Sequence, residues 1–384
     1  MRLSPRFAAV ILSAGFSSRM GSFKPLLALG KGTLIEHVIG TAQSAGIENV
    51  RVVVGHRADE LVPVVDKAGA EAVFNPDYRQ GMFSSVCAGV RSLSSVVEAF
   101  FLLPVDIPLV RPATLRRLAD AWQTAPRRIL RPVFAAERGH PPLIPADLAP
   151  VILEGSGHGG LRAVLERYED RALEVPVADE HILFDVDRPE HYEAAKRRFA
   201  GLNDPSFAEC EAILSEVCPT DEKIIRHCRQ VRQAAAALCR ALNRKGAGLD
   251  QQRVETAALL HDLAKGETDH AGVGGRMLAD MGFVRVGAIV SAHTDLPEAE
   301  MKDPKEAAVV YLADKLVAKG RFVSLESRFE AALKRYGSSR EARSAIERRR
   351  AVALAVKQKI EETAGLSLEQ ILIAAAGGHD AVTR

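Results

Sequence analysis

From residue 7 to about residue 200 the chain alternates short apolar runs with amphipathic stretches of helical length, and beyond about residue 206 the short runs all but vanish. This change of period constrains the fold more than any other feature of the sequence. Short apolar runs joined through helices read as βα units on a parallel sheet. Strands are expected at Phe7 to Leu12, Val50 to Val54, Ala70 to Phe74, Ala99 to Leu103 and Ile129 to Phe134. Helices are expected at Thr33 to Ala45, Met82 to Arg91, Pro112 to Thr124, Gly160 to Tyr168 and Pro189 to Phe199, the last with Gly201 just past its end. After the hinge-like segment Gly201-Leu-Asn-Asp-Pro-Ser206, apolar residues recur at helical spacing, as in Ile224, His227, Val231 and Ala235. The expectation is an α/β domain over residues 1–202, Rossmann-like with a mostly parallel sheet, followed by an all-α domain over residues 207–384 with its core at about 220–325.

A chain of 384 residues that is 47% hydrophobic can supply two cores. Its 51 Lys and Arg against 49 Asp and Glu leave a formal charge of +2, which excludes a surface built to coat nucleic acid or anionic membrane. The basic run Arg348-Arg349-Arg350 reads as a solvated helix face. Five cysteines, Cys87, Cys210, Cys218, Cys228 and Cys239, fit no C-x-x-C zinc pattern and read as reduced thiols. Arg2 and Arg6 before the run Phe7 to Leu12 faintly mimic a secretion signal, but the run is short and passes into a Gly/Ser loop with its own use. No stretch approaches the ~20 apolar residues that span a bilayer. A cytoplasmic protein with neither nucleic-acid nor membrane partners is expected.

The first strand ends in Leu12-Ser13-Ala14-Gly15-Phe16-Ser17-Ser18-Arg19-Met20-Gly21, with Lys24-Pro25 just beyond. Small residues let backbone N–H groups close on phosphate oxygens, and Arg19 and Lys24 bring positive charge to a triphosphate. The loop matches neither the P-loop nor the dinucleotide G-x-G-x-x-G pattern. A second signal comes from Pro104-Val105-Asp106-Ile107-Pro108, which places a carboxylate at the C-terminal end of a buried strand, where open α/β sheets bind ligands. Asp185 and Asp187, read as sharing one face of a further strand, could complete a Mg²⁺ shell with Asp106.

These residues resemble the nucleotidyltransferases that attach a nucleotide to the molybdenum cofactor, within the wider nucleotide-diphospho-sugar transferase type of fold. The resemblance covers about residues 7 to 200. It runs through the Leu12 to Gly21 loop with Lys24, V-V-G-H at Val53 to His56, Asn75-Pro76 with Gly81-Met82 and Ser84-Ser85, the Asp106 motif, Gly139-His140-Pro141, and D-V-D-R-P-E from Asp185 to Glu190. It implies catalytic roles for Arg19, Lys24 and Asp106, and a nucleotide site of Leu12, Ser13, Ala14, Gly15, Lys24, Asn75 and Ser84. It further implies Mg²⁺ on Asp106 and Asp187, and a nucleoside triphosphate and a molybdopterin-type acceptor as partners, with an apo molybdenum hydroxylase as a possible protein partner. Ser13-Ala14-Gly15 and G-H-P resemble the cytidylyl branch, so CTP is the expected donor. Where the family has G-D-x-G-x-R this chain reads Gly157-His158-Gly159-Gly160-Leu161-Arg162. A terminal phosphate acceptor is already ionised near neutral pH, so neither His56 nor His140 need act as a base.

In the helical half, His227, His261-Asp262, His270, His293 and Asp314 form a mixed imidazole and carboxylate set that suits a divalent ion such as Mn²⁺ or Fe²⁺. The order of His227, His261, Asp262 and Asp314 resembles the HD phosphohydrolase superfamily, and L-L-H-D-L-A-K, A-H-T-D and L-A-D-K-L resemble its bis(5′-nucleosyl) tetraphosphatases. That likeness, over about residues 220 to 325, implies that His270 and His293 bind a second metal and that Lys265 and Arg321 contact phosphate. The expected function is transfer of a nucleotide, CMP from CTP, to the molybdenum-molybdopterin cofactor, fused to a metal-dependent phosphohydrolase. The alternative is a sugar-phosphate or other NTP transferase whose helical domain is a nucleotide sensor or partner-binding module.

Overall fold

In the computed structural model, which describes residues 6–318 and 321–376, every residue of β1 (Phe7–Ser13) is buried, as befits a strand covered on both faces. β1 pairs in parallel with β4 (Asn49–Val54) on one side and β6 (Ala99–Pro104) on the other, and β4 pairs in parallel with β5 (Glu71–Phe74). The chain therefore builds outward from β1 in one direction, then crosses back to add β6 on the opposite flank. Where strand order reverses, the loops leaving β1 and β6 diverge and open a crevice at their C-terminal ends. Leu12 lies opposite Pro104 and Ser13 opposite Val54, so the three strands end together.

The sheet continues through β9 (Leu143–Pro145), antiparallel to both neighbours, then β7 (Ile129–Phe134) and β10 (Ala172–Pro176), which are parallel to each other. β8 (Glu137–Arg138) turns back on β7, and β2 (Ala28–Leu29) with β3 (Gly32–Thr33) forms a separate small pair. The helices are α1 (Leu34–Ser44), α2 (Ala58–Lys67), α3 (Met82–Arg91), α4 (Pro112–Thr124), α5 (Ala149–Leu153), α6 (Gly160–Glu166) and α7 (Pro189–Ala200). Thr33 and Glu36 form a capping box that starts α1. α3 lies close on the sheet because a Cβ on Gly89 would stand 2.3 Å from Val10 Cγ1 and 3.0 Å from Val53 Cγ2. Trp122 of α4 meets Phe7 edge-on at 6.2 Å.

Two corrections arise here. Phe184 to Asp187 is not a strand: the apolar residues before it close a 3₁₀ turn at Glu180–Leu183, so Asp185 and Asp187 share no strand face. Asp185 is exposed and Asp187 is half-buried in the crevice. The sequence reading also passed over α2, whose helical pattern is interrupted by Pro63, and the edge strand β10, of whose five residues only Val175 is buried.

The second unit begins at Asn203, inside the hinge-like segment, and Ser206 with Glu209 then forms the capping box of α8 (Phe207–Ala212). A π turn leads to α9 (Glu222–Asn243), α10 (Gln251–Leu260), α11 (His270–Asp280), α12 (Val284–Ala292), α13 (Glu298–Lys302) and α14 (Glu306–Lys315). β11 (Val317–Ala318) and β12 (Arg321–Phe322) form one short antiparallel pair before α15 (Leu325–Tyr336), α16 (Arg340–Ala364) and α17 (Leu368–Ala376). α14 is buried from Ala307 to Lys315 and is the axis of this unit. α11 and α12 cross almost backbone to backbone: a Cβ on Gly275 would lie 2.6 Å from Gly287 O, and one on Gly287 would lie 2.5 Å from Gly275 O. Arg349 is not simply solvated, as it donates twice to Asp295 at 3.0 and 2.8 Å. The five cysteines are free, and among the described residues no helix is long and apolar enough to cross a membrane. Arg2 lies outside the described residues.

Candidate functional site

The crevice at the ends of β1 and β6 is a cavity of about 390 Å³ lined by Leu12 to Arg19, Lys24, Asp106 and Asp187. Its floor is held by Val105 N–H donating to Leu12 O at 3.1 Å and Val186 N–H donating to Asp106 O at 2.7 Å, which ties the Asp187 loop to the end of β6. The Leu12 to Gly21 loop turns sharply, with Ser17 at φ 55° and its hydroxyl accepting from Lys24 N–H at 3.2 Å. Positive φ at a non-glycine residue in a ligand loop marks a backbone over-determined by its surroundings. Gly139 is required by a close approach, because a Cβ there would stand 2.5 Å from Ile182 O, in the segment that leads to Asp187.

Lys24 is 7% exposed, and its ammonium lies 2.9 Å from Asp187 Oδ1 and 3.5 Å from Asp106 Oδ2. Arg19, exposed, reaches Asp187 Oδ2 at 2.9 Å. Burial, together with the Asp187 charge, raises the Asp106 carboxyl above its ordinary range, and Lys24 offsets this only in part. Burial works against Asp187 as well, but there Lys24, Arg19 and His191 prevail and hold its carboxyl below the ordinary range. Two hard oxygen donors facing one space make a set that fits Mg²⁺. Ser13 Oγ and His140 Nδ1 are buried without a hydrogen-bond partner among the described residues.

Asn75 and Ser84 stand behind this cleft and do not line it. Asn75 is buried and donates to Ser84 Oγ at 2.9 Å and Ser85 Oγ at 3.0 Å, so it fixes the start of α3 while Gly81, Met82 and Ser85 reach the cavity. The sequence reading gave no role to Tyr78 or Phe16, which also line it.

In the helical unit, His227 comes from α9, His261 and Asp262 follow α10, His270 opens α11, His293 caps α12 and Asp314 lies in α14. All six converge. His227 Nε2 is 3.2 Å from Asp314 Oδ1, and His261 Nε2 is 3.6 Å from both Asp262 and Asp314. His270 and His293 Nε2 lie 3.4 and 3.6 Å from Asp262 Oδ1 and 3.2 Å from each other. His261 Nδ1 faces Ala258 O at 2.8 Å and His293 Nδ1 faces Val290 O at 2.7 Å; donation to these carbonyls leaves Nε2 to act as ligand. His261 Nε2 is fully buried with no hydrogen bond, ringed by carboxylates at a distance that suits a cation between them. Two overlapping triads, His227-His261-Asp314 and His261-Asp262-His293, could each hold a metal ion.

Burial, the largest cause for each, lowers the His270 and His293 imidazoles below their ordinary range and so favours the neutral form. Burial opposes ionisation of Asp314, but Lys315, His227 and His261 hold it well below the ordinary range. Burial also opposes a charge on His261, yet Cys228 and the carboxylates favour one, so a cation and a proton compete for the same nitrogen. Lys315, which the sequence reading quoted without a role, is buried and donates to His293 O at 3.0 Å and Asp314 Oδ2 at 2.7 Å. Lys265 donates to Asp262 Oδ1 at 3.1 Å, whereas Arg321 stands exposed on β12.

An α/β domain with a basic loop facing two carboxylates, followed by a helical domain with an imidazole and carboxylate cluster, defines a nucleotide-handling transferase fold ahead of a domain whose donor set suits a metal ion. Residues 9–172 match the MobA-like NTP transferase domain and residues 224–319 match the HD domain, so the chain is an NTP transferase domain fused to an HD domain. The molybdenum cofactor cytidylyltransferase of Escherichia coli (strain K12) is 27% identical over 194 residues, covering 50% of this chain and 97% of that protein. The bifunctional protein GlmU of Clavibacter sepedonicus is 36% identical over 126 residues, 32% of this chain, and the match spans only 26% of that protein. Among solved structures, a nucleotidyl transferase from Methanothermobacter thermautotroptrophicus is 26% identical with a TM-score of 0.45, covering 51% of this chain and 98% of that one.

Proposed function

We propose that the N-terminal domain transfers CMP from CTP to the molybdenum-molybdopterin cofactor and releases pyrophosphate. The observation that carries this reading is the buried Lys24 ammonium between Asp106 and Asp187, facing the Ser13 to Arg19 loop. The cytidylyltransferase relative, matched over nearly its whole length, supports the choice of acceptor and base. An oxygen of the acceptor's terminal phosphate forms a bond to the α-phosphorus, the bond from that phosphorus to the bridging oxygen breaks, and its electron pair leaves with pyrophosphate. Backbone N–H groups of the loop orient the triphosphate, while Lys24 and Arg19 receive the charge that spreads onto the leaving group. Asp106 and Asp187 would hold Mg²⁺, which when bound neutralises phosphate charge. No side-chain base is needed, because the acceptor phosphate is already ionised.

The HD domain is proposed as a phosphohydrolase in which His227, His261, Asp262, His270, His293 and Asp314 hold one or two transition-metal ions. The depressed His270 and His293 imidazoles and the depressed Asp262 and Asp314 carboxyls support this, and Lys265 stands at the rim to meet a phosphate. The metal, when bound, supplies Lewis-acid activation at phosphorus.

The test is pyrophosphate release from CTP, GTP, ATP and UTP with molybdenum-loaded molybdopterin, beside hydrolysis of a dinucleoside tetraphosphate with Mn²⁺. CTP-selective release should fall by roughly 10²-fold or more in Asp106→Ala and stay unchanged in Asp262→Ala, with the reverse for hydrolysis. Release that follows another base, or needs a sugar phosphate, sinks the cofactor assignment.

A further inference from the structure

The Val53 to His56 motif and Tyr78 take no part in the phosphate chemistry, yet they converge on the mouth of the same cleft. Gly55 is where the backbone must be bare: a Cβ there would lie 2.6 Å from Tyr78 Cβ and 3.0 Å from Ala14 Cβ, so the absent side chain lets Tyr78 and the phosphate loop close together. The next residue, His56, donates its N–H to Ala14 O at 3.1 Å and locks the loop to the end of β4. Both rings then flank Phe16. Its centroid is 5.0 Å from His56 and 5.4 Å from Tyr78, inclined at 42° and 49°. His56 is itself backed edge-on by the buried Phe23 at 6.0 Å. Phe16 nevertheless stays 46% exposed and lines the cavity.

A single exposed phenylalanine on a surface means little. One that is immobilised by aromatic neighbours, inside the loop proposed to orient the phosphates, offers a π face at little cost in side-chain entropy. The Arg79 guanidinium, 5.9 Å from the Phe16 ring and 5.4 Å from Tyr78, adds a planar cation to the same wall. We propose that Phe16, held by His56 and Tyr78, is the stacking platform for a planar nitrogen heterocycle bound in this cleft. Two ligands of the proposed reaction carry one, the nucleobase of the donor and the pterin of the acceptor. The inference rests on the transferase reading for that choice of ligands.

The experiment is equilibrium binding of CTP, GTP, neopterin and inorganic tripolyphosphate, with Mg²⁺, to the full chain and to Phe16→Leu and Phe16→Trp. Leucine keeps apolar bulk and removes the π face; tryptophan restores it. Phe16→Leu should weaken binding of the stacked heterocycle about tenfold or more, Phe16→Trp should retain it, and tripolyphosphate should bind all three proteins alike. A loss confined to CTP and GTP assigns the platform to the donor base, and a loss confined to neopterin assigns it to the acceptor. Unchanged binding of every heterocycle overturns the proposal, as does a loss shared by tripolyphosphate, which would mean that Phe16 only shapes the loop. If the wild-type chain binds CTP but releases no pyrophosphate with any acceptor, the transferase reading fails while the binding comparison still judges Phe16.

Discussion

Asp179 and Arg111 show what a single buried pair does for the first unit. Asp179 accepts from the Arg111 guanidinium at 2.9 Å, Arg111 N–H at 2.8 Å and Thr114 at 2.7 Å, and all three residues are buried. Burial alone would raise the carboxyl, but Arg111 and His181 hold it below the ordinary carboxylate range. A carboxyl depressed on folding contributes stability that is complete above its unfolded value near ~4 and is lost as pH falls through the lower folded value. Asp179→Asn should therefore cost about 3–5 kcal/mol near pH 7, and the gap to wild type should narrow as pH falls below ~4. The readout is denaturant unfolding followed by Trp122, the sole tryptophan and a reporter of this unit alone. A gap that is flat with pH would show that the carboxylate charge is not what stabilises. At this scale the sequence singled out Arg19, Lys24, Asp106 and Asp187, because each belongs to a short motif, and the structure brings the four side chains to one cleft. The same reading gave no hint of Asp179, whose partners Arg111 and Thr114 lie more than sixty residues away.

Elements set distances that no side chain sets for itself. The Gly275 and Gly287 crossing lets α11 and α12 approach so closely that His270, at the start of one, and His293, at the end of the other, bring their Nε2 atoms to 3.2 Å. Gly287→Ala must push the helices apart, since its Cβ would meet backbone on the facing helix. Mn²⁺ affinity measured by calorimetry should fall roughly 10–100-fold, the range for disturbed metal-site support, while Trp122-monitored unfolding of the first unit stays put. Undiminished affinity would mean that the crossing does not fix the metal ligands. The periodicity of these helices was legible in the sequence, but which glycines face each other was not, since contact depends on the crossing angle. The Asp185 to Asp187 segment failed for a related reason: a three-residue apolar run satisfies a strand pattern and a 3₁₀ turn equally.

For the whole molecule, two centres with different donors should respond differently to metals. The first offers carboxylate oxygens only, Asp106 and Asp187; the second is rich in imidazole nitrogen, with His227, His261, His270 and His293 among the donors proposed to bind metal. After chelation, Mg²⁺ alone should restore nucleotidyl transfer, whereas phosphate-ester hydrolysis should return with Mn²⁺ or Fe²⁺ and not with Mg²⁺. Recovery of both activities with Mg²⁺ would contradict this division. The sequence by itself determined the fold class of each half and singled out residues that the structure gathers into two clusters, because hydrophobic period and local motif are properties of contiguous chain. Only the tertiary structure decided that Lys24 lies between two carboxylates, that Asn75 and Ser84 stand behind the cleft, and that His56 and Tyr78 brace Phe16. Those facts depend on distances between segments far apart in sequence, which are fixed by strand order, glycine-sized approaches and burial and leave no local trace.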